Sequence, residues 1–362
     1  MSSGILPDHE LERLASAGVI VAGRPFAPGQ VQPASLDLRL GPVAHRIRAS
    51  FLPGPDARVE EKLGALTLHT IPIAEGAVLE TGCVYLVPLQ ESLALPADIA
   101  AAANPKSSTG RLDVFTRVIA DHGRAFDTIP AGYRGPLYLE VSPRTFPVLV
   151  RTGSRLSQLR LRRGAALLDD AALAALHATD TLAAPGEPVI DGGLVLSVDL
   201  TPAAPGAPVG YRAKRHTGVV DVDRVDGYPV GAFWEPIAAD PASGLVLDPD
   251  EFYILVSREA VHVPPSTAAE MVPIDPLVGE FRVHYAGFFD PGFGHAAAGG
   301  HGARAVLEVR SREVPFILEH GQSVGRLVYE RMAAAPSRLY GTGIGSNYQA
   351  QGLKLSKHFR VA

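Results

Sequence analysis

The chain has 362 residues, 46% hydrophobic and 20% charged, with a formal net charge of −5. That is enough for two cores of ordinary globular composition, and it lacks the basic balance of a nucleic-acid-binding protein. A single cysteine, Cys83, excludes an internal disulfide and a cysteine-held zinc site.

No apolar run approaches the roughly 18 residues of a membrane span, and the first residues lack a basic-then-apolar leader. The expectation is therefore no nucleic acid, no membrane and a cytoplasmic location.

In chain order, "DHELERLASAG" (8–18) predicts an amphipathic helix with Leu11 and Leu14 on one face and Gly18 as its stop. Short runs rich in Val, Leu and Ile follow, separated by Pro and Gly, which is the pattern of a sandwich or barrel. Residues 105–115, "PKSSTGRLDVF", place small hydroxyl residues between Lys106 and Arg111. Such a segment is either a solvated turn or a cradle for phosphate oxygens. It is not a Walker A loop, because the glycine spacing is wrong.

"PLYLEV" (136–141) sets Tyr138 and Glu140 on one strand face. Glu140 is then a proton-transfer group of raised pKa, or a strand glutamate paired with one of Arg117, Arg144, Arg310 or Arg312.

The chain then repeats itself. Leu79 matches Leu247, Tyr85 matches Tyr253, Glu140 matches Glu308, Pro147 matches Pro315 and Gly153 matches Gly321, all 168 positions apart. A constant offset over separated segments predicts two related domains, 1–168 and 189–335. The helix-like stretch 169–188 joins them and a tail, 336–362, follows. The turn "FFDPGFG" (288–294) loosely matches "FDTIPAGYRG" (126–135). At the place of the serine motif the second copy reads "VPIDPL" (272–277), and the Gly-rich tail "GTGIGSNYQAQGLKLSKHF" (341–359) exists once. By composition the tail is either disordered or a lid.

Taken together, the serine motif, the Asp-Pro-Gly-aromatic hairpin, the "LEV" strand and the Tyr-Gln-x-Gln-Gly…Ser-Lys tail resemble the dCTP deaminases, relatives of the trimeric dUTP diphosphatases. The opening helix and "ASLDLRLG" (34–41) are also similar to that family. The resemblance spans most of 4–161 and returns, weaker, from about 190. It implies a mainly β fold, two tandem dUTPase-like distorted barrels or jelly rolls with a few short helices.

It also implies zinc-independent conversion of dCTP to dUTP and ammonia. A strand glutamate, Glu140 or Glu308, would shuttle protons, with the better hairpin favouring Glu308. Ser107 would position water and Arg111 would organise water and acid. Lys106, Ser107, Ser108 and Arg111 would hold phosphates, and Tyr340, Asn347, Tyr348 and Gln351 would close over them. Magnesium would accompany the triphosphate. The carbonyls around Ala120 or Ala286 would read the base.

The resemblance further implies an oligomer, a trimer by preference, with dTTP as a candidate inhibitor. Two departures stand out: Lys106 replaces the usual Arg, which loses a bidentate fork, and Asn347 replaces a frequent Lys. Two other readings remain at this point. One is a dUTP diphosphatase or a bifunctional enzyme; the other is a nucleotide-binding regulatory module without turnover.

Overall fold

The computed structural model describes residues 2–238, 244–273, 281–284, 287–311, 313–341, 348–349 and 351–360. The 168-residue repeat is visible strand by strand. Ala77–Leu79, Val148–Val150 and Arg155–Arg163 recur as Leu245–Leu247, Phe316–Leu318 and Ser323–Arg331.

Each half is built from two main sheets. In the first, Arg134–Pro143 lies between Val84–Ala94 and Val114–Ala120. In the second, Ala303–Ser311 lies between Tyr253–Val261 and Phe281–His284. The other sheet of each half centres on the strand pair Arg155–Arg163 with Ile99–Pro105, or Ser323–Arg331 with Thr267–Pro273. On the central strands one face feeds the core, with Leu137, Leu139 and Val141 in the first half and Ala305, Leu307 and Val309 in the second, while Glu140 and Glu308 take the opposite face.

Helices are few and short. Asp8–Ser16 buries Leu11 and Leu14, and Gly18 follows at φ 72°, the left-handed geometry that ends a helix. The stretch expected as the join is part of the second half. Asp169 caps a helix, Asp170–Thr179, by accepting from the Ala172 N–H at 2.8 Å. Leu173 of that helix is buried in the second core, and Ala183–Ala184 pairs with Tyr253–Val261.

The halves do not hang on a linker. Val220–Asp221 of the second half adds a parallel strand to Val148–Val150 of the first. Phe146, Phe233, Trp234 and Phe359 meet with ring centroids 5.3–6.1 Å apart. The main core therefore takes side chains from both halves, and aromatic pairs of this kind stabilise beyond their buried area. This shared packing holds the facing surfaces, and any cleft between them, at a fixed separation.

Candidate active site

A cleft of about 490 Å³ opens between the halves. The first half lines it with Asp37, Lys106, Ser107, Ser108, Arg111, Arg155 and Gln158. The second half contributes Asp290, Phe293, Glu308, Tyr340, Tyr348, Gln351 and Lys357. These two sets lie at least 132 positions apart along the chain, from Gln158 to Asp290, so only folding brings them together.

The serine motif is a single helical turn, Ser107–Gly110. Its start is tied to the sheet, since the Lys106 N–H donates to the Leu156 carbonyl at 3.0 Å. The turn ends by presenting Arg111, whose side chain is almost fully buried. Arg111 Nη1 donates to Gln351 Oε1 at 3.1 Å and to the Lys354 carbonyl at 3.0 Å. Its guanidinium lies 4.0 Å from the centre of the Tyr348 ring. Its Nε is 3.7 Å from Glu308 Oε1 and has no hydrogen-bond partner among the described residues. One arginine therefore touches both the tail and the strand glutamate.

Glu308 sits in Ala303–Ser311, an inner strand of its sheet, and is 5% exposed. Burial pushes its carboxyl up to about 8, opposed only in part by Arg111. Burial also raises Asp290, against the pull of Arg160. Arg160, from the first half, donates to Asp290 Oδ1 and to the Phe289 carbonyl, both at 3.3 Å, so it holds the 288–294 hairpin at the cleft.

At the polar end, Asp37 forms ion pairs with Lys106 and, at 3.4 Å, with Arg155. Lys357 stands near them, and burial, with Lys106 beside it, lowers its pKa. The cations Lys106, Arg155 and Lys357 thus crowd one end of the cleft, where a polyanion would relieve their repulsion.

The tail is docked over this end. The Lys357 N–H donates to Tyr348 Oη at 3.1 Å. Ser356 Oγ lies 2.8 Å from the Ser108 carbonyl and 2.9 Å from His358 Nδ1, so its one hydrogen is shared between two acceptors. His358 Nε2 in turn donates to the Val222 carbonyl at 2.9 Å. Burial holds the His358 pKa down to about 4, which keeps the ring neutral in this role.

Of the candidates read from the sequence, Lys106, Ser107, Ser108, Arg111, Glu308, Tyr340, Tyr348 and Gln351 line the cleft. Ala286 and Asn347 lie outside the described residues. Glu140 and Ala120 are placed elsewhere. Glu140 accepts from Arg117 Nε at 2.9 Å and Nη2 at 2.6 Å. Arg117 is itself sandwiched near Phe126 and Phe115 and donates to Ser50. Tyr138, on the same strand face as Glu140, packs with Val59 and Leu63 of the helix Val59–Leu66. The first half therefore covers its own glutamate. The Ala120 carbonyl accepts from the Gly123 N–H within a turn, and Ala120 is not part of the cleft wall.

Sequence reasoning missed Asp37, Arg155, Gln158, Asp290 and Lys357 as wall residues. Asp37, Asp290 and Lys357 lay inside stretches quoted above, "ASLDLRLG", "FFDPGFG" and the Gly-rich tail; Arg155 and Gln158 carry no local signal.

Models of the N-terminal and C-terminal domains of 2'-deoxycytidine 5'-triphosphate deaminase match residues 2–165 and 169–359. The chain belongs to the dCTP deaminase family. Its reaction is the hydrolytic deamination of dCTP. A crystal structure of 2'-deoxycytidine 5'-triphosphate deaminase from Agrobacterium tumefaciens is 63% identical, with a TM-score of 0.88. The match covers 92% of this chain and 100% of that one.

The dCTP deaminase of Halorubrum lacusprofundi is 32% identical over 158 residues, 43% of this chain and 75% of the relative. A "dCTP deaminase, dUMP-forming" from Methanobrevibacter smithii is 29% identical over 157 residues, 43% of this chain and 78% of the relative. In this deaminase, then, the cleft between the halves joins a polyanion-attracting end to a buried carboxyl, an arrangement suited to a nucleoside triphosphate.

Proposed function

We propose that the inter-half cleft is the deamination centre, that Glu308 is its proton shuttle, and that the product is dUTP with ammonia. The observation that carries this is the Arg111–Glu308 approach of 3.7 Å across the two halves, within the cleft lined by both the serine motif and the tail. Ser107 holds the attacking water. Glu308 as carboxylate takes a proton from it while the water oxygen bonds to C4 of the cytosine. The C4=N3 electron pair moves to N3, which is protonated through the same acid. Glu308 then passes the remaining proton of the C4 hydroxyl to the exocyclic amine, the C4–N bond breaks with its electron pair on nitrogen, and ammonia leaves a C4 carbonyl behind.

The chain's own groups do the positioning. Arg111 fixes Glu308 and the tail together. Lys106, Arg155 and Lys357 hold the triphosphate, which arrives with magnesium as part of the substrate. On binding, the phosphates compete with Asp37 for Lys106 and Arg155, so Asp37 serves as a stand-in anion that keeps these cations in place beforehand. Tyr340, Tyr348 and Gln351 close the site from the tail side.

The test is ammonia release from dCTP, with nucleotide products separated by charge. Wild type is expected to yield dUTP, and Ser107→Ala to lose about 10²-fold in kcat, as for one positioned water contact. Release of dUMP and pyrophosphate instead would overturn the product assignment. Full activity in Ser107→Ala would overturn the water site.

A further inference from the structure

Two residues beyond Arg111, the chain carries Asp113, and two beyond Glu308 it carries Arg310. Asp113 is fully buried and adopts φ 57°, a left-handed geometry that normally falls to glycine. Its carboxylate accepts from Arg310 Nε at 3.2 Å and also from Arg310 Nη2. It further accepts from Thr145 Oγ1 at 2.5 Å, and Arg310 donates to the Asp250 carbonyl at 2.7 Å. A strained backbone held by so many partners points to a constraint on position, since a glycine would make the same turn without strain.

Residues two apart on a strand share a face, so Arg310 stands beside Glu308 along Ala303–Ser311. Two cross-half pairs therefore lie side by side with opposite polarity. Arg111 of the first half meets Glu308 of the second, and Asp113 of the first meets Arg310 of the second. A slip of the strand by two residues would set Arg111 against Arg310 or Asp113 against Glu308. Like charges then oppose the wrong register.

We infer that the Asp113–Arg310 pair is a positioning clamp that sets Glu308 at its distance from Arg111 and thereby governs the chemical step. This rests on Glu308 being the working acid. The clamp is anchored on Thr145 and the Asp250 carbonyl, residues that are not part of the cleft wall, so its loss is expected in kcat and not in KM.

The experiment compares full-length wild type, Asp113→Gly/Arg310→Met, Arg310→Lys and Glu308→Gln for steady-state dCTP deamination and thermal unfolding. The double variant removes both charges and relaxes the left-handed turn, so no buried ion is left unpaired. It is expected to keep Tm within a few degrees and KM within about threefold while kcat falls about 10²-fold, the scale of a small misplacement of a reacting group. Arg310→Lys keeps the charge without the two-pronged contact and is expected to fall between. Wild-type kcat in the double variant, or a kcat loss matched by a collapse of Tm, overturns the clamp. Turnover in Glu308→Gln overturns the underlying site reading instead, so the two failures are told apart.

Discussion

Glu140 and Glu308 occupy the same place in two copies of one plan, 168 residues apart, yet their surroundings differ in kind. Glu308 faces the other half of the chain across a cleft, 3.7 Å from an arginine that also grips the tail. Glu140 is sealed by its own half, with Arg117 bound directly to it and the helix Val59–Leu66 packed on its sheet face. A carboxyl with a charge-assisted bond to its own sheet neighbour is a structural group. A carboxyl at a cleft, raised by burial and only approached by its arginine, is available to carry a proton. Under the proposed assignment, duplication lets one copy keep chemistry while the other becomes scaffold, with no change in the glutamate itself.

The largest effect expected from this contrast is on turnover. Glu308→Gln is expected to lower kcat about 10³-fold, the range for a general acid–base group. A steady-state assay in which Glu308→Gln works and Glu140→Gln does not would reverse the assignment of the two copies.

The next effect is pH dependence. Glu308 holds its proton up to about 8, and the carboxylate is the form that activates water. Below that value kcat is expected to rise about tenfold per pH unit and to level above it. A profile flat from pH 6 to 9 would remove Glu308 from the rate-determining proton transfer.

Stability runs the other way. Between the ordinary value of 4.5 and about 8, the folded protein keeps a proton on Glu308 that the unfolded chain has lost. Its contribution to stability therefore falls as pH rises across that window. Glu308→Gln is expected to flatten the decline, with a Tm above wild type at pH 8 and little difference at pH 5.

Glu140→Gln is expected to do the converse, leaving kcat unchanged and lowering stability by about 2 kcal/mol. That figure is reduced from the 3–5 kcal/mol of a fully buried pair because Arg117 keeps some contact with water. Denaturant unfolding measures it directly. The smallest effect is at the tail: Ser356→Ala removes a hydroxyl shared by the Ser108 carbonyl and His358. A loss of about 1 kcal/mol is expected as a KM increase of up to about fivefold with kcat held. An unchanged KM would separate tail docking from substrate affinity.

Much of this was legible in the chain itself. The constant offset declared two copies, and the alternation of Val and Leu with Pro and Gly declared sheets, because period-two burial is a local property of the backbone. The serine motif and tail were recognisable for the same reason: each is a contiguous run whose residue types carry their chemistry. Tertiary structure decided the rest. Whether Glu140 or Glu308 faces the serine motif depends on which sheet surfaces meet. So does the recruitment of Asp37, Arg155, Asp290 and Lys357, which are scattered along the chain and carry no periodic signal. Whether the tail lies free or docked was also settled only by partners far away in sequence, Ser108, Arg111 and Val222. Local pattern determines which elements form; burial and pairing between distant elements determine which carboxyl faces the cleft.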